Sequence, residues 1–199
     1  MSGVALLPAS GHVEMPWKNG LGRTAEIARE PRAGDPFAWR LSIATIERDA
    51  PFSAFPGCDR TLVALTGEGV ALEFADGETA VARPPFGMIG FAGEREAQGR
   101  LLGGPTRDLN AITFRRLASH RVSILALDTD GERFRPTADV SVIVCLDGAL
   151  AARDREHEFP LKPLDALRIP NRSEILTLQP RPDATVALVE IDLRATLPT

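Results

Sequence analysis

The stretch LVALTGEGVALEF (62–74) sets the reading of this chain. The apolar run Thr61–Leu65 leads into Gly67, Glu68 and Gly69, and a second apolar run, Val70–Phe74, follows. A short glycine loop between two β-favouring runs predicts a hairpin. Working outward, Asp76 and Gly77 mark the next turn, ahead of Thr79–Arg83. Upstream, Trp39–Ile46 alternates: Trp39, Leu41 and Ile43 point one way, Arg40, Ser42 and Ala44 the other. Further strands are expected over 109–117, 122–127, 141–146, 150–153, 166–169, 175–178 and 185–193. No window of ten or more residues free of glycine and proline keeps the helical period. Turn signals return every ~8–12 residues, which argues for an all-β sandwich or barrel.

The opening stretch has an echo in VIVCLDGALAARD (142–154), again an apolar strand, a glycine turn and a return strand. A second hairpin is expected after each, at PPFGMIGF (84–91) and PLDALRIP (163–170). Two such pairs suggest a duplicated β-roll. The seam falls within 118–136, where the chain turns polar and carries Gly131 and Pro136. The expected units are therefore 1–118 and 119–199.

Composition narrows the function classes. The 199 residues are 44% hydrophobic and 25% charged, the balance of a globular protein rather than a disordered one. The net charge of −4 offers no basic field for nucleic acid or an anionic membrane, and no helix-turn-helix is legible. The start MSGVALLPAS lacks a basic region and is soon broken by Pro8, so it does not read as a signal peptide. Apolar runs such as Val142–Leu146 fall far short of the ~20 residues of a membrane helix. Cys58 and Cys145 read as reduced thiols rather than a disulfide framework. A cytoplasmic protein is expected.

Catalytic signatures are sparse. The three histidines, His12, His120 and His157, lie too far apart for local metal-ligand spacing, and His157 sits between Glu156 and Glu158. No metal and no cofactor is expected. There is no G-x-S-x-G, and the aspartate beside Cys58 would raise that thiol's pKa. The glycines at 20 and 22 lack the rest of a phosphate loop.

Three polar clusters remain. In Met15–Gly20, Pro16 holds its predecessor extended and Asn19 with Gly20 signals a tight turn. Lys18, one of only two lysines, is either a turn residue lying along apolar surface or a point charge on a pocket rim. In the second reading Trp17 is an apolar wall and Asn19 a two-way hydrogen bonder. In 56–61, Asp59 and Arg60 form a surface pair, or Arg60 offers its planar fork to a ligand carboxylate. In 103–110, Asn110 heads a lane shared with Ile112 and Phe114, as a loop cap or as a pocket floor.

Taken together, MPWKNGLGRTAEIA (15–28), FAWRLSIATIERDAPFSAFPGCDRTLVALTGEGVAL (37–72) and LLGGPTRDLNAITFR (101–115) resemble the HutD/Ves family in order and spacing. The likeness is close over 12–118 and diffuse over 119–199. The family commonly reads W-K-N-G-G-G where this chain has Leu21 in place of the middle glycine. The resemblance implies a duplicated cupin-like jelly roll (a bicupin), and the usual cupin metal pattern, an H-x-H with a later Glu and His, is absent from this sequence. Many members are encoded with histidine-degradation enzymes, and Ves-type members are linked to environmental stress. It also implies an accessory or regulatory protein of histidine catabolism that binds a small anionic metabolite, such as N-formylglutamate or urocanate, rather than an enzyme. The site it implies is Lys18, Asn19, Arg60, Arg107 and Asn110, walled by Trp17, with Glu26 and Asp108 orienting the cations. A homodimer is compatible with it. The alternatives are a cupin isomerase or hydrolase acting on a small carboxylate, with Lys18, Glu26 or Asp108 as acid or base, and a scaffold that binds a protein partner.

Overall fold

The structure, a computed structural model, describes residues 3–17, 19–31, 36–171 and 173–194. Among these it is β throughout, with seventeen strands, one 3₁₀ turn at Ala9–Gly11 and no α-helix. Two compact units are present, one of residues 13–119 and one of residues 120–193 together with the start of the chain. The first strand, β1 (Ala5–Leu7), belongs to the latter.

The unit of residues 13–119 carries β2 (Val13–Pro16), β3 (Gly22–Glu30), β4 (Trp39–Ile46), β5 (Ala50–Phe52) and β6 (Cys58–Thr66). It continues with β7 (Val70–Phe74), β8 (Thr79–Ala82), β9 (Met88–Ala92), β10 (Ala97–Leu101) and β11 (Thr106–Phe114). A six-stranded sheet has the order β2-β3-β4-β11-β6-β9, and a four-stranded sheet the order β5-β10-β7-β8. Ile46, Leu62, Ala64, Ile89 and Phe91 of the first pack with Val70, Leu72, Phe74, Ala82 and Ala97 of the second. The alternation expected in β4 is present. Trp39, Leu41 and Ile43 are almost wholly buried on one face, and Arg40, Ser42 and Ala44 occupy the other.

The 62–74 stretch departs from its expected hairpin. β6 lies between β11 and β9, whereas β7 lies between β10 and β8 in the other sheet. The glycine turn is therefore a corner between sheets. Gly67 and Gly69 adopt φ of +80° and +99°, and a Cβ on Gly69 would stand 2.2 Å from the Ala82 carbonyl oxygen. The chain can turn this tightly because neither residue has a side chain.

The other unit holds β1 with β12 (Ala118–Leu127), β13 (Glu132–Phe134), β14 (Val140–Arg153), β15 (Glu158–Leu161), β16 (Ala166–Pro170) and β17 (Leu176–Leu193). Its sheet has the order β1-β16-β14-β17-β12, with β13 added to β17 and β15 to β14. Leu6 opposes Leu167 in the β1–β16 ladder, which draws residues 3–12 away from the 1–118 grouping expected from the sequence. The pairs of short strands expected over 141–153 and 175–193 are each one long strand. Register shifts between Cys145 and Asp147 and between Gly148 and Leu150 absorb the residues that look like a turn.

The sequence echo has a local counterpart. Phe86 and Leu164 both adopt positive φ, at 63° and 72°. The Phe86 N–H donates to the Ala64 carbonyl, and the Ala64 N–H to that of Gly87. In the second unit, the Leu164 N–H donates to Cys145, and the Cys145 N–H to Asp165. Three residues beyond Ala64 and Cys145 stand Gly67 and Gly148, each with positive φ.

At Gly148 a Cβ would lie 2.2 Å from the Asp183 carbonyl oxygen, whereas at Gly77, also at positive φ, it would meet nothing. Gly77→Ala should therefore cost about 1–2 kcal/mol from φ alone. Gly148→Ala should cost at least about twice that, because backbone must move as well. Thermal denaturation of the two variants checks this, and equal losses would refute it.

Candidate functional site

The even-numbered residues of the central strands face the interior of the first unit. Arg40, Ser42 and Ala44 of β4, Arg60 of β6, and Asn110 and Ile112 of β11 line one cavity of about 510 Å³. Met15 and Pro16 of β2, Trp17 and Asn19 of the following turn, and Thr24 of β3 form one side. Pro51, Phe52, Ser53 and Phe55 form another. The volume is within the ~300–1,000 Å³ usual for small-molecule sites.

Arg60 is the centre of the floor. It is only 6% exposed. Its Nη2 donates to Asn110 Oδ1 at 2.8 Å and its Nη1 to the Ser53 carbonyl at 3.0 Å. The rings of Phe91, Phe55 and Phe52 lie 4.9, 5.1 and 5.5 Å from its guanidinium carbon. Such contacts offset part of the cost of taking a cation out of water. Burial still dominates and lowers its pKa to about 10, opposed by Asp108, so Arg60 stays charged at neutral pH. Asp59, beside it in sequence, faces the other way and pairs with Arg115 at 2.6 Å. The Asp59–Arg60 surface pair is therefore not formed.

Behind Asn110 stands Asp108, wholly buried. Asn110 Nδ2 donates to Asp108 Oδ1, while Asp108 Oδ2 has no hydrogen-bond partner among the described residues. Burial pushes the Asp108 carboxyl up to about 7, against the pull of Arg60 and the Asn110 hydrogen bond. The order Arg60–Asn110–Asp108 is thus a relay, in which the amide accepts from the cation and donates to the acid.

Arg40 brings a second guanidinium to the cavity, a residue that the polar clusters in the sequence did not single out. Its Nε donates to Glu26 Oε2 at 2.7 Å, and both side chains are 16% exposed. The cation that Glu26 holds is therefore Arg40. The charge of Arg40 also acts unfavourably on Arg60. Trp17 Nε1 donates to Thr24 Oγ1 at 2.9 Å, which fixes the indole of the wall. Asn19 lines the cavity, and its Oδ1 accepts from the Leu21 N–H at 3.0 Å. Gly20 carries the positive φ of that turn, so Leu21 fits without strain where the family favours glycine.

Trp17, Asn19, Arg60 and Asn110 are therefore brought together. Lys18 lies outside the described residues. Arg107 does not line the cavity. It precedes Asp108 on β11, and strand alternation turns it to the opposite side of the sheet. Among the described residues, no group of three His, Cys, Asp or Glu side chains is placed to hold a metal. Among them, too, no helix is long and apolar enough to cross a membrane.

Comparison with known proteins gives this arrangement a family. A Pseudomonas putida protein, described as an uncharacterized 21.2 kDa protein in the hutC 3′ region, is 45% identical over 113 residues, 56% of this chain and 59% of that one. Protein Ves of Citrobacter koseri is 37% identical over 111 residues, 54% of this chain and 56% of its own. The chain thus spans under two thirds of the length of these curated relatives. HutD from Pseudomonas fluorescens superposes with a TM-score of 0.83 at 28% identity, over 96% of this chain and all of that one. The fold alone is shared with a cupin 2 conserved barrel domain protein from Leptotrichia buccalis, with a TM-score of 0.60 at 9% identity over 85% of this chain and 88% of the other. The fold is all-β and cupin-like. The HutD family model matches residues 9–188, a span that takes in every strand lining the cavity, and the chain belongs to the HutD family.

Proposed function

We propose that this protein binds a small organic acid in the Arg60 cavity, without a metal, and that it serves as an accessory or regulatory component of histidine catabolism in the cytoplasm. The observation that carries the reading is the floor. Arg60 and Arg40 bring two guanidiniums to one hollow, where their charges oppose each other. A carboxylate seated between them relieves that repulsion and accepts charge-assisted hydrogen bonds from planar donors. Trp17, Phe52 and Phe55 enclose the apolar body of such a ligand. The hutC-region description of the P. putida relative and the family match favour an acid of the histidine pathway, N-formylglutamate or urocanate.

The lining favours binding over turnover. Among the described residues, its only ionisable side chains are those two arginines. Glu26 is held by Arg40, and Asp108 is screened by Asn110. Neither lines the cavity, where a general base would meet a substrate.

Titration calorimetry with N-formylglutamate, urocanate and glutamate tests the reading. At least one should bind with a micromolar dissociation constant, since two or three charge-assisted hydrogen bonds of roughly 1.5–3 kcal/mol survive association costs at about that level. No heat from any of the three at millimolar concentration would refute it. Trp17→Ala removes one apolar wall and should weaken binding about tenfold, on the order of the area lost. An unchanged constant would remove Trp17 from the site.

A further inference from the structure

The acid behind the binding floor has no role in holding a ligand directly, yet its position ties it to the group that does. Asp108 is sealed from solvent, one of its oxygens has no partner among the described residues, and a single amide separates it from Arg60. A buried carboxylate is tolerated only while a cation compensates it. Among the described residues, Arg60 is the charged group that acts on Asp108.

The other neighbours leave this balance to Arg60. Ala44 and Ala64 flank Asp108 in the ladders of β4 and β6. The interior residues of the four-stranded sheet, Val70, Leu72, Phe74, Ala82 and Ala97, carry no titratable group. Arg40, paired with Glu26, and the buried Cys58 act on Arg60 itself.

We propose that an organic acid entering the cavity is bound together with a proton from solvent, the carboxylate seating between Arg60 and Arg40 and the proton going to Asp108. The proposal depends on the binding function above and deepens it. A ligand anion on Arg60 takes up the field that sustains the Asp108 carboxylate and adds a negative charge nearby. The ionised acid then becomes the costlier form, and Asp108 gains a proton. No bond of the ligand changes. Burial opposes the charge of this carboxyl and pushes it up to about 7, so a change in the field of Arg60 shifts its proton occupancy near neutral pH. Linkage is reciprocal, so raising the pH must weaken binding by the same coupling.

Calorimetry of the full chain with N-formylglutamate or urocanate, in buffers of different ionisation enthalpy, counts the protons taken up. At pH 7 the wild type should take up a measurable fraction of a proton more than Asp108→Asn, equal to the fraction of the free protein's Asp108 that is ionised there. Above pH 7 its affinity should fall by up to about tenfold per pH unit, and that of Asp108→Asn should not. Subtracting the variant removes any protonation of the ligand itself. Equal proton counts with binding intact in both proteins overturn the proposal and leave the binding function standing. Absence of binding in the wild type overturns both. Should Asp108→Asn fail to fold, carboxyl carbon-13 shifts of the wild type replace it. The Asp108 titration should move to higher pH when ligand is added, and an unmoved titration overturns the proposal.

Discussion

Arg60→Met is expected to weaken organic-acid binding by at least about 100-fold, since it removes two charge-assisted hydrogen bonds of roughly 1.5–3 kcal/mol each. The fold should survive. Methionine matches the length of the arginine stem, and its sulfur is compatible with the faces of Phe52, Phe55 and Phe91 that now surround the guanidinium. The loss falls elsewhere in the relay. Asn110 Oδ1 forfeits its donor, and Asp108 forfeits the cation that favours its charged form. A carboxyl with that escape protonates rather than remaining an unpaired buried charge. The variant should thus be little destabilised below pH 6 and clearly destabilised at pH 8. Arg60→Lys keeps the charge but not the fork, so its affinity should lie between the other two. Calorimetry measures the affinities, and near-ultraviolet circular dichroism checks the fold. Binding within threefold of wild type in Arg60→Met would remove Arg60 from the site.

How much of this was legible in the sequence depends on whether a feature follows from alternation or from a long-range choice of partner. The β4 lanes are local. Trp39, Leu41 and Ile43 against Arg40, Ser42 and Ala44 need only a two-residue period, and the fold keeps both lanes. The same rule, applied to β11, separates Arg107 from Asp108 and Asn110. Proximity along the chain had grouped all three, and alternation divides them. Arg40 was readable too, since a cation repeated between apolar positions needs a polar destination, but it stood outside the clusters picked by residue type. The sheet change at Gly67–Gly69 was not readable. A hairpin and a corner use the same glycines, and only the partners of β6 and β7, set by strands up to some 50 residues away, distinguish them. The approach of Phe52, Phe55 and Phe91 to Arg60 is of the same kind. These rings come from different strands and turns, and no spacing announces that they meet.

Asp108→Asn should reverse the ordinary effect of removing a buried charge, and the direction follows from the proton balance. In the unfolded chain Asp108 has its ordinary value of 3.8, and in the folded protein burial pushes it up to about 7. Between those values the folded state holds a proton that the unfolded state has released. Stability then falls as pH rises, because its slope has the sign of protons bound in the unfolded state minus those bound in the folded state. The contribution of Asp108 is fully present below about pH 4, is lost progressively toward pH 7, and stays lost above. Asparagine is nearly isosteric. Its Oδ1 can accept from Asn110 Nδ2 as the acid does, and it never ionises. The variant should therefore match or trail the wild type at pH 4.5 and exceed it in stability by a few kcal/mol at pH 8. Exposed carboxylates held low by arginines, such as Glu94 beside Arg115, tilt the absolute stability of both proteins the other way at low pH. They cancel in the difference, which is why denaturant titrations of the pair, and not of the wild type alone, decide the matter. Parallel stability curves from pH 4.5 to 8 would mean that Asp108 is ionised in the folded protein throughout. Arg60 would then already be spent on an internal partner, and the cavity would lack the free positive charge that an organic acid needs.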